Sequence, residues 1–242
     1  DPAGQSATFA YDARGNAISG SFPGRGTYTV AYDAVGEPVE FRTPGGARAL
    51  HVRNASGLVV REDVLDEGGA LLARVDFAYD ANGNRASATR LRTVDGAPES
   101  LTTYFAYDAA NRLIRVTDPL GASTRYEYDA AGRLVATVDA LGRRTERVYD
   151  ALGRLVRTRF ADGAYEEIAY DAEGREIATR DAAGRVTARE YDEMGRMGRT
   201  VHPDGAAESI VYTAGGRIAA KIDALGHRTD HAYDAAGRVV AE

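Results

Sequence analysis

The dipeptide Tyr-Asp returns along this chain at an interval that constrains its fold more than any other feature. It stands at Tyr11, Tyr32, Tyr79, Tyr107, Tyr128, Tyr149, Tyr170, Tyr191 and Tyr233. From Tyr107 onward every step is 21 residues, and Tyr212 falls in the series although Thr213 replaces its Asp. A fixed period of that length marks a tandem array in which each unit is a small supersecondary element resting on its neighbours. Tyr11 to Tyr32 is also 21 residues, whereas Tyr32 to Tyr79 is 47. One period beyond Tyr32 lies Arg53, and Arg53-Asn54-Ala55-Ser56-Gly57 reads as a degenerate Tyr-Asp-Ala-x-Gly. The steps from 53 to 79 and from 79 to 107 are then one period plus 5 and plus 7 residues. Residues 1–242 are expected to form a single array of about 11 units, degenerate with insertions over 1–106 and regular over 107–242.

Two turn signals alternate inside a unit. The first is Tyr-Asp-x-x-Gly-Arg, as in Tyr128-Asp129-Ala130-Ala131-Gly132-Arg133. The second is Asp-x-x-Gly ten residues later, as in Asp139-Ala140-Leu141-Gly142, with Phe160-Ala161-Asp162-Gly163 and His202-Pro203-Asp204-Gly205 as variants. An Asp that opens a turn can accept hydrogen bonds from the backbone two residues on, and a Gly in fourth place takes φ > 0 without a Cβ clash. A type I turn followed by such a left-handed residue closes a hairpin with a bulge. The first-turn position holds Gly15, Gly36, Gly57, Gly83, Gly132, Gly153, Gly174, Gly195, Gly216 and Gly237. Its single exception is Asn111, and Asn is the other residue that tolerates the left-handed region. A backbone requirement therefore accounts for the position.

Segments such as Leu134-Val135-Ala136-Thr137-Val138 and Leu155-Val156-Arg157-Thr158 join the turns. They are short, rich in β-branched residues and bounded by turn chemistry, which reads as strand. Gly recurs too often to leave a helix its usual dozen residues. The fold class is thus all-β: tandem antiparallel hairpins of two strands and two turns, roughly 20 strands in one ribbon about 100 Å wide at ~4.8 Å per strand. A ribbon that wide curls or splits, and identical hairpins would wind it into a spiral wall around a cavity. The repeating tyrosines would stack unit upon unit as a cross-strand ladder.

The Tyr-Asp-x-x-Gly-Arg-Leu element at this period resembles the YD-repeat (Rhs-repeat) family, literally over 107–242 and in register over 1–106. That family includes bacterial Rhs polymorphic toxins, shell subunits of insecticidal toxin complexes, wall-associated bacterial proteins and animal teneurins. The resemblance implies a hollow β-shell which, in the toxins, encloses a C-terminal toxic domain. Its partners would be the rest of a parent chain (cap, plug and cargo toxin domain), and its place the outside of a bacterium, secreted or on the cell surface. The family's shell ends in an Asp-Pro-x-Gly-Leu-like plug that in many members carries aspartyl self-cleavage. Asp1-Pro2-Ala3-Gly4 and Asp118-Pro119-Leu120-Gly121 look similar but occupy the ordinary second-turn position, and are read as turns. Neither end shows a cap, so the chain is expected to be a piece of a longer protein.

Candidate sites reduce to structural roles. Seven units in succession place Arg after the turn Gly or Asn: Arg112, Arg133, Arg154, Arg175, Arg196, Arg217 and Arg238. Stacked units would set them in a row about 10 Å apart. As a ligand stripe this row would take anions or surface glycans. As structure it would pair with neighbouring turn Asp residues and pack its stems against Tyr, which is the favoured reading. The tyrosines are assigned to packing rather than sugar stacking; large aromatics outside the repeat register, exposed on one face, would favour glycan or cell-surface binding. His227 and His231 would lie about 13 Å apart along a strand, too far for one ion. The Asp-x-x-Gly turns lack the alternate acidic ligands and distal Glu of a calcium loop. No catalytic residue, cofactor or metal is expected. The absence of Cys excludes disulfides and thiolate sites. A net charge of −6 speaks against nucleic acid as a partner, and no apolar run is long enough for a membrane-spanning helix.

Overall fold

The computed structural model describes residues 6–94 and 97–241; the Asp1-Pro2-Ala3-Gly4 turn lies outside them. Among the described residues there are 23 strands and no helix, and 21 of the strands belong to one open antiparallel sheet. The chain divides into two compact units, Asp1–Arg125 and Tyr126–Glu242.

The first unit runs through β1 (Thr8–Tyr11), β2 (Ala17–Phe22), β3 (Gly26–Tyr32), β4 (Pro38–Arg42), β5 (Arg48–Arg53), β6 (Val59–Leu65), β7 (Leu71–Tyr79), β8 (Arg85–Val94), β9 (Ala97–Tyr107) and β10 (Leu113–Thr117). Each strand pairs with the next as a simple meander. The two insertions do not bulge out as loops. They lengthen the hairpins β6–β7 and β8–β9, whose strands reach 7, 9, 10 and 11 residues. In the second unit, strands of five and six residues alternate from Leu134–Val138 to Ala207–Tyr212. Ala232–Tyr233 pairs separately with Val239–Ala241.

Two kinds of turn alternate between the margins of this ribbon. The Tyr-Asp hairpins at Tyr149, Tyr170 and Tyr191 shift register at their Tyr, as between Val148 and Tyr149, while the second-turn hairpins between them run without a shift. The expected backbone requirement is met: Gly132 sits at φ 83°, and Asn111 at φ 60° is the one non-glycine with positive φ among the described residues. Arg53 occupies the Tyr place of a bulged hairpin, with Gly57 at φ 79°.

The sheet has almost no interior. Among the described residues only Ala136, Val138 and Ala220 are buried apolar side chains. The chain exposes 15,624 Å², where a globular protein of its mass would expose about 10,500 Å². Burial of a core is therefore not what holds consecutive units in register, and the contacts between turns matter correspondingly more.

Candidate functional site

The repeated residues converge on the Tyr-Asp margin. At Asp129, Oδ1 accepts the backbone N–H of Ala131 and Arg133, and Oδ2 accepts Arg133 Nε at 2.7 Å. One carboxylate thus closes the turn and fixes the Arg in its fork. The same set recurs at Asp150 with Arg154 and at Asp192 with Arg196. The ion pair is repeated by Arg112 with Asp108, Arg175 with Asp171 and Arg238 with Asp234. The acid belongs to the arginine's own turn, four residues back. At Arg217 there is no acid, because Thr213 stands there and its hydroxyl takes the Arg217 N–H. Hydrogen bonds from the Arg133 backbone and then its guanidinium hold the Asp129 carboxyl below its usual value. Asp150 is lowered first by the Arg154 backbone and Asp192 first by the Arg196 side chain.

At five joints an arginine of this row then reaches into the following repeat. Its guanidinium lies over the next tyrosine ring: Arg133 over Tyr149 at 5.0 Å, Arg154 over Tyr170 at 4.4 Å, Arg175 over Tyr191 at 4.9 Å, Arg196 over Tyr212 at 4.4 Å and Arg217 over Tyr233 at 5.4 Å. The tyrosine hydroxyl donates back to a carbonyl just past that arginine: Tyr149 to Leu134, Tyr170 to Leu155, Tyr191 to Glu176, Tyr212 to Met197 and Tyr233 to Ile218. These rings do not stack as a tyrosine ladder. Successive ones are two strands, about 10 Å, apart, and an arginine fills each gap. Such cation–π contacts contribute about 0.5–1 kcal/mol each at exposed sites.

The guanidinium also meets the next turn. A Cβ on Gly153 would stand 3.5 Å from Arg133 Nη1, and one on Gly195 only 3.3 Å from Arg175 Nη1. The turn glycine is therefore held by its neighbour as well as by its own φ.

The first unit keeps the hydroxyl bond, from Tyr32 to Ala17, Tyr79 to Val59 and Tyr107 to Arg85, but exchanges the arginine. Asn84 stands at the Arg position, and its Nδ2 donates at 2.7 Å to Oδ1 of Asn111, the residue that replaces the next Gly. Two units earlier Glu37 stands at the Arg position and pairs at 3.3 Å with Arg53, which replaces the next Tyr. Both are paired exchanges across one joint. Position-by-position reading of the sequence could not find them, although a search for coincident departures one period apart would.

His227 Nδ1 lies 2.9 Å from Asp223 Oδ2 in a second turn, where other units place Arg. Among the described residues no three His, Asp or Glu side chains gather as a metal site. One feature falls outside the repeat positions. Phe9, Phe22, Tyr28 and Phe41 meet on one face of β1–β4, with ring centroids 5.7–5.9 Å apart.

The fold and its joints define a class: a single-layer antiparallel ribbon of hairpin repeats, each clamped to the next by Arg and Tyr. The RHS Repeat family matches residues 107–144, 128–165, 170–207 and 212–242, together more than half of the sequence. The chain belongs to the RHS-repeat family. No curated protein sequence matches it. Among solved structures it is similar to the TcdB2-TccC3 complex (TM-score 0.52, 17% identity, 90% of this chain and 14% of that one). It is similar too to a TcdB2-TccC3-Cdc42 complex (0.53, 17%, 90% and 14%) and to the Photorhabdus luminescens Tc holotoxin pore (0.52, 16%, 96% and 15%). These likenesses concern the fold, and this chain spans about one seventh of the length of those it matches.

Proposed function

We propose that the chain is a wall segment of a secreted or surface-exposed bacterial shell, which encloses a cargo domain of its own longer parent. The observation that carries this reading is a sheet one layer thick, almost without a core, whose repeats are clamped to one another in the fold of toxin-complex chains. A ribbon of this kind gains nothing catalytic from its repeated residues. Asp closes turns, Gly and Asn satisfy the backbone, and Arg and Tyr join units. The chain is accordingly proposed to be non-enzymatic, acting through the wall it builds. Its partners are the cap, plug and cargo of the parent chain.

Electron microscopy of the full-length parent tests this. A hollow particle is expected, with the sequence beyond the repeats resistant to protease until the wall is opened. A solid rod, or immediate digestion of that sequence, would refute it. A second reading, an adhesive module for glycans or cell surfaces, draws support from the off-register aromatics on β1–β4. The arginine row lends it none, since those guanidinium groups are engaged by Asp and Tyr. Glycan-array signal that survives loss of Phe9 and Phe41 would dispose of this second reading for that face.

A further inference from the structure

Phe9 on β1 and Tyr28 on β3 both stand directly opposite Gly20 on β2. Phe22 is two residues beyond Gly20 on the same strand, and Phe41 on β4 faces Val30, two residues beyond Tyr28. The alternation of a strand puts all four rings on one face. Gly20 is the floor between them. A Cβ there would meet Phe9 at 3.1 Å and Phe22 at 3.2 Å, so the rings lean over bare backbone. Covering a glycine is a structural service, but it does not need this much ring. Phe9 remains 53% exposed and Phe41 42% exposed, and between the rings lies an open groove of about 380 Å³. That is the size of a small ligand pocket. At its end, on the β2–β3 turn, sits Arg25, exposed and without an ion-pair partner among the described residues. No carboxylate lines the groove.

We propose that this groove docks an extended peptide segment carrying large apolar side chains beside a carboxylate. Charge selects the occupant. A cation at the mouth of an apolar groove complements a ligand with an apolar body and an anionic end. A second copy of the same face, in an isologous pair, brings no carboxylate from this lining and presents Arg25 instead. Ring geometry favours side chains over a sugar. Phe9 meets Phe22 at 86° and Phe22 meets Tyr28 at 78°, so these three rings make a corrugated wall, and Phe41 alone of the four stacks on its neighbour, Tyr28, at 29°. Corrugation suits side chains that project alternately from an extended backbone.

The experiment titrates the 242-residue chain into a fluorescein-labelled decapeptide of alternating leucine and serine closed by two aspartates, read by anisotropy. The same peptide closed by two lysines is run beside it. The acidic peptide should bind roughly fivefold more tightly, since an exposed ion pair contributes about 1 kcal/mol or less. Arg25→Glu should reverse that order, and Phe41→Ser should weaken both peptides about tenfold. Leu141→Ser, on an exposed turn of the second unit, should change neither. Arg25→Glu lies on a turn surface and keeps the test decisive if Phe41→Ser misfolds. The proposal is overturned by equal affinity for the two peptides, by indifference to Arg25→Glu, by glycan binding in place of peptide binding, or by self-association that disappears in Phe41→Ser.

Discussion

The two margins of the second unit are built from the same turn and behave differently. Asp139 closes its turn and pairs with Arg143, and Asp181 does the same with Arg185, just as Asp150 does with Arg154. Yet the side chains of Arg143 and Arg185 are 67% and 69% exposed, against 28% for Arg154. The Asp–Arg pair is therefore not what buries an arginine. On the Tyr-Asp margin the ring of Tyr170 covers the Arg154 guanidinium at 4.4 Å. Burial comes from the next unit's ring. One margin closes turns, and the other closes turns and joins units. That explains why the Tyr-Asp signature repeats so literally while Phe160 and His202 can open second turns.

If this contrast is right, the largest effect should come from the ring itself. Tyr170→Ala removes the cover from Arg154 and the hydroxyl bond to Leu155, and should cost about 3 kcal/mol in urea unfolding; Tyr170→Phe should cost only about 1 kcal/mol. A loss below that for the Ala variant would mean the margins are equivalent. Next comes Gly195→Ala. It places a Cβ at φ 78° and against Arg175, where Gly163→Ala meets open space at φ 87°. Each should lose about 1–2 kcal/mol for the left-handed backbone, with Gly195→Ala the larger of the two; equal losses would show that the neighbouring guanidinium yields freely. Smaller again is Arg154→Lys, which forfeits the fork and the stacked plane and should cost about 0.5–1 kcal/mol, whereas Arg185→Lys should be close to neutral.

Acid should act on both margins at once. Hydrogen bonds lower the carboxyls of Asp129, Asp150 and Asp192 on one side and of Asp139 and Asp181 on the other. A carboxyl whose folded pKa lies below its unfolded one stabilises fully above the unfolded value, near 4, and loses that contribution as pH falls through the folded value. Thermal midpoints should thus be flat above about pH 5 and drop below 4. A midpoint that rises on acidification would contradict this.

Much of the fold was legible because its determinants are local. Turn chemistry fixes Asp129 and Gly132, and the period found Arg53 despite the loss of both Tyr and Asp. Asn111 was legible for the same reason, since few side chains accept its φ. What was not legible depends on contacts one period away. The arginine's reach to the following ring, the tyrosine's bond back to a carbonyl and the Glu37–Arg53 exchange all join residues 15 or 16 apart across two strands. The insertions were legible only in part. Counting places them, but only strand pairing shows that they extend β6–β9 rather than loops. The grouping of Phe9, Phe22, Tyr28 and Phe41 needed the register of four strands at once.

The fit of Arg133 against Gly153 makes each joint a lock with a protruding half and a receiving half, always facing the same way along the chain. Such an array has polarity. Whole repeats can be excised, duplicated or transplanted among the standard joints of the second unit without disturbing the fit, because every protruding half there matches every receiving half. The joints at Glu37–Arg53 and Asn84–Asn111 carry private keys. A repeat moved across either one would meet the wrong half, so recombination within this chain should respect those two borders and change both halves together when it crosses them.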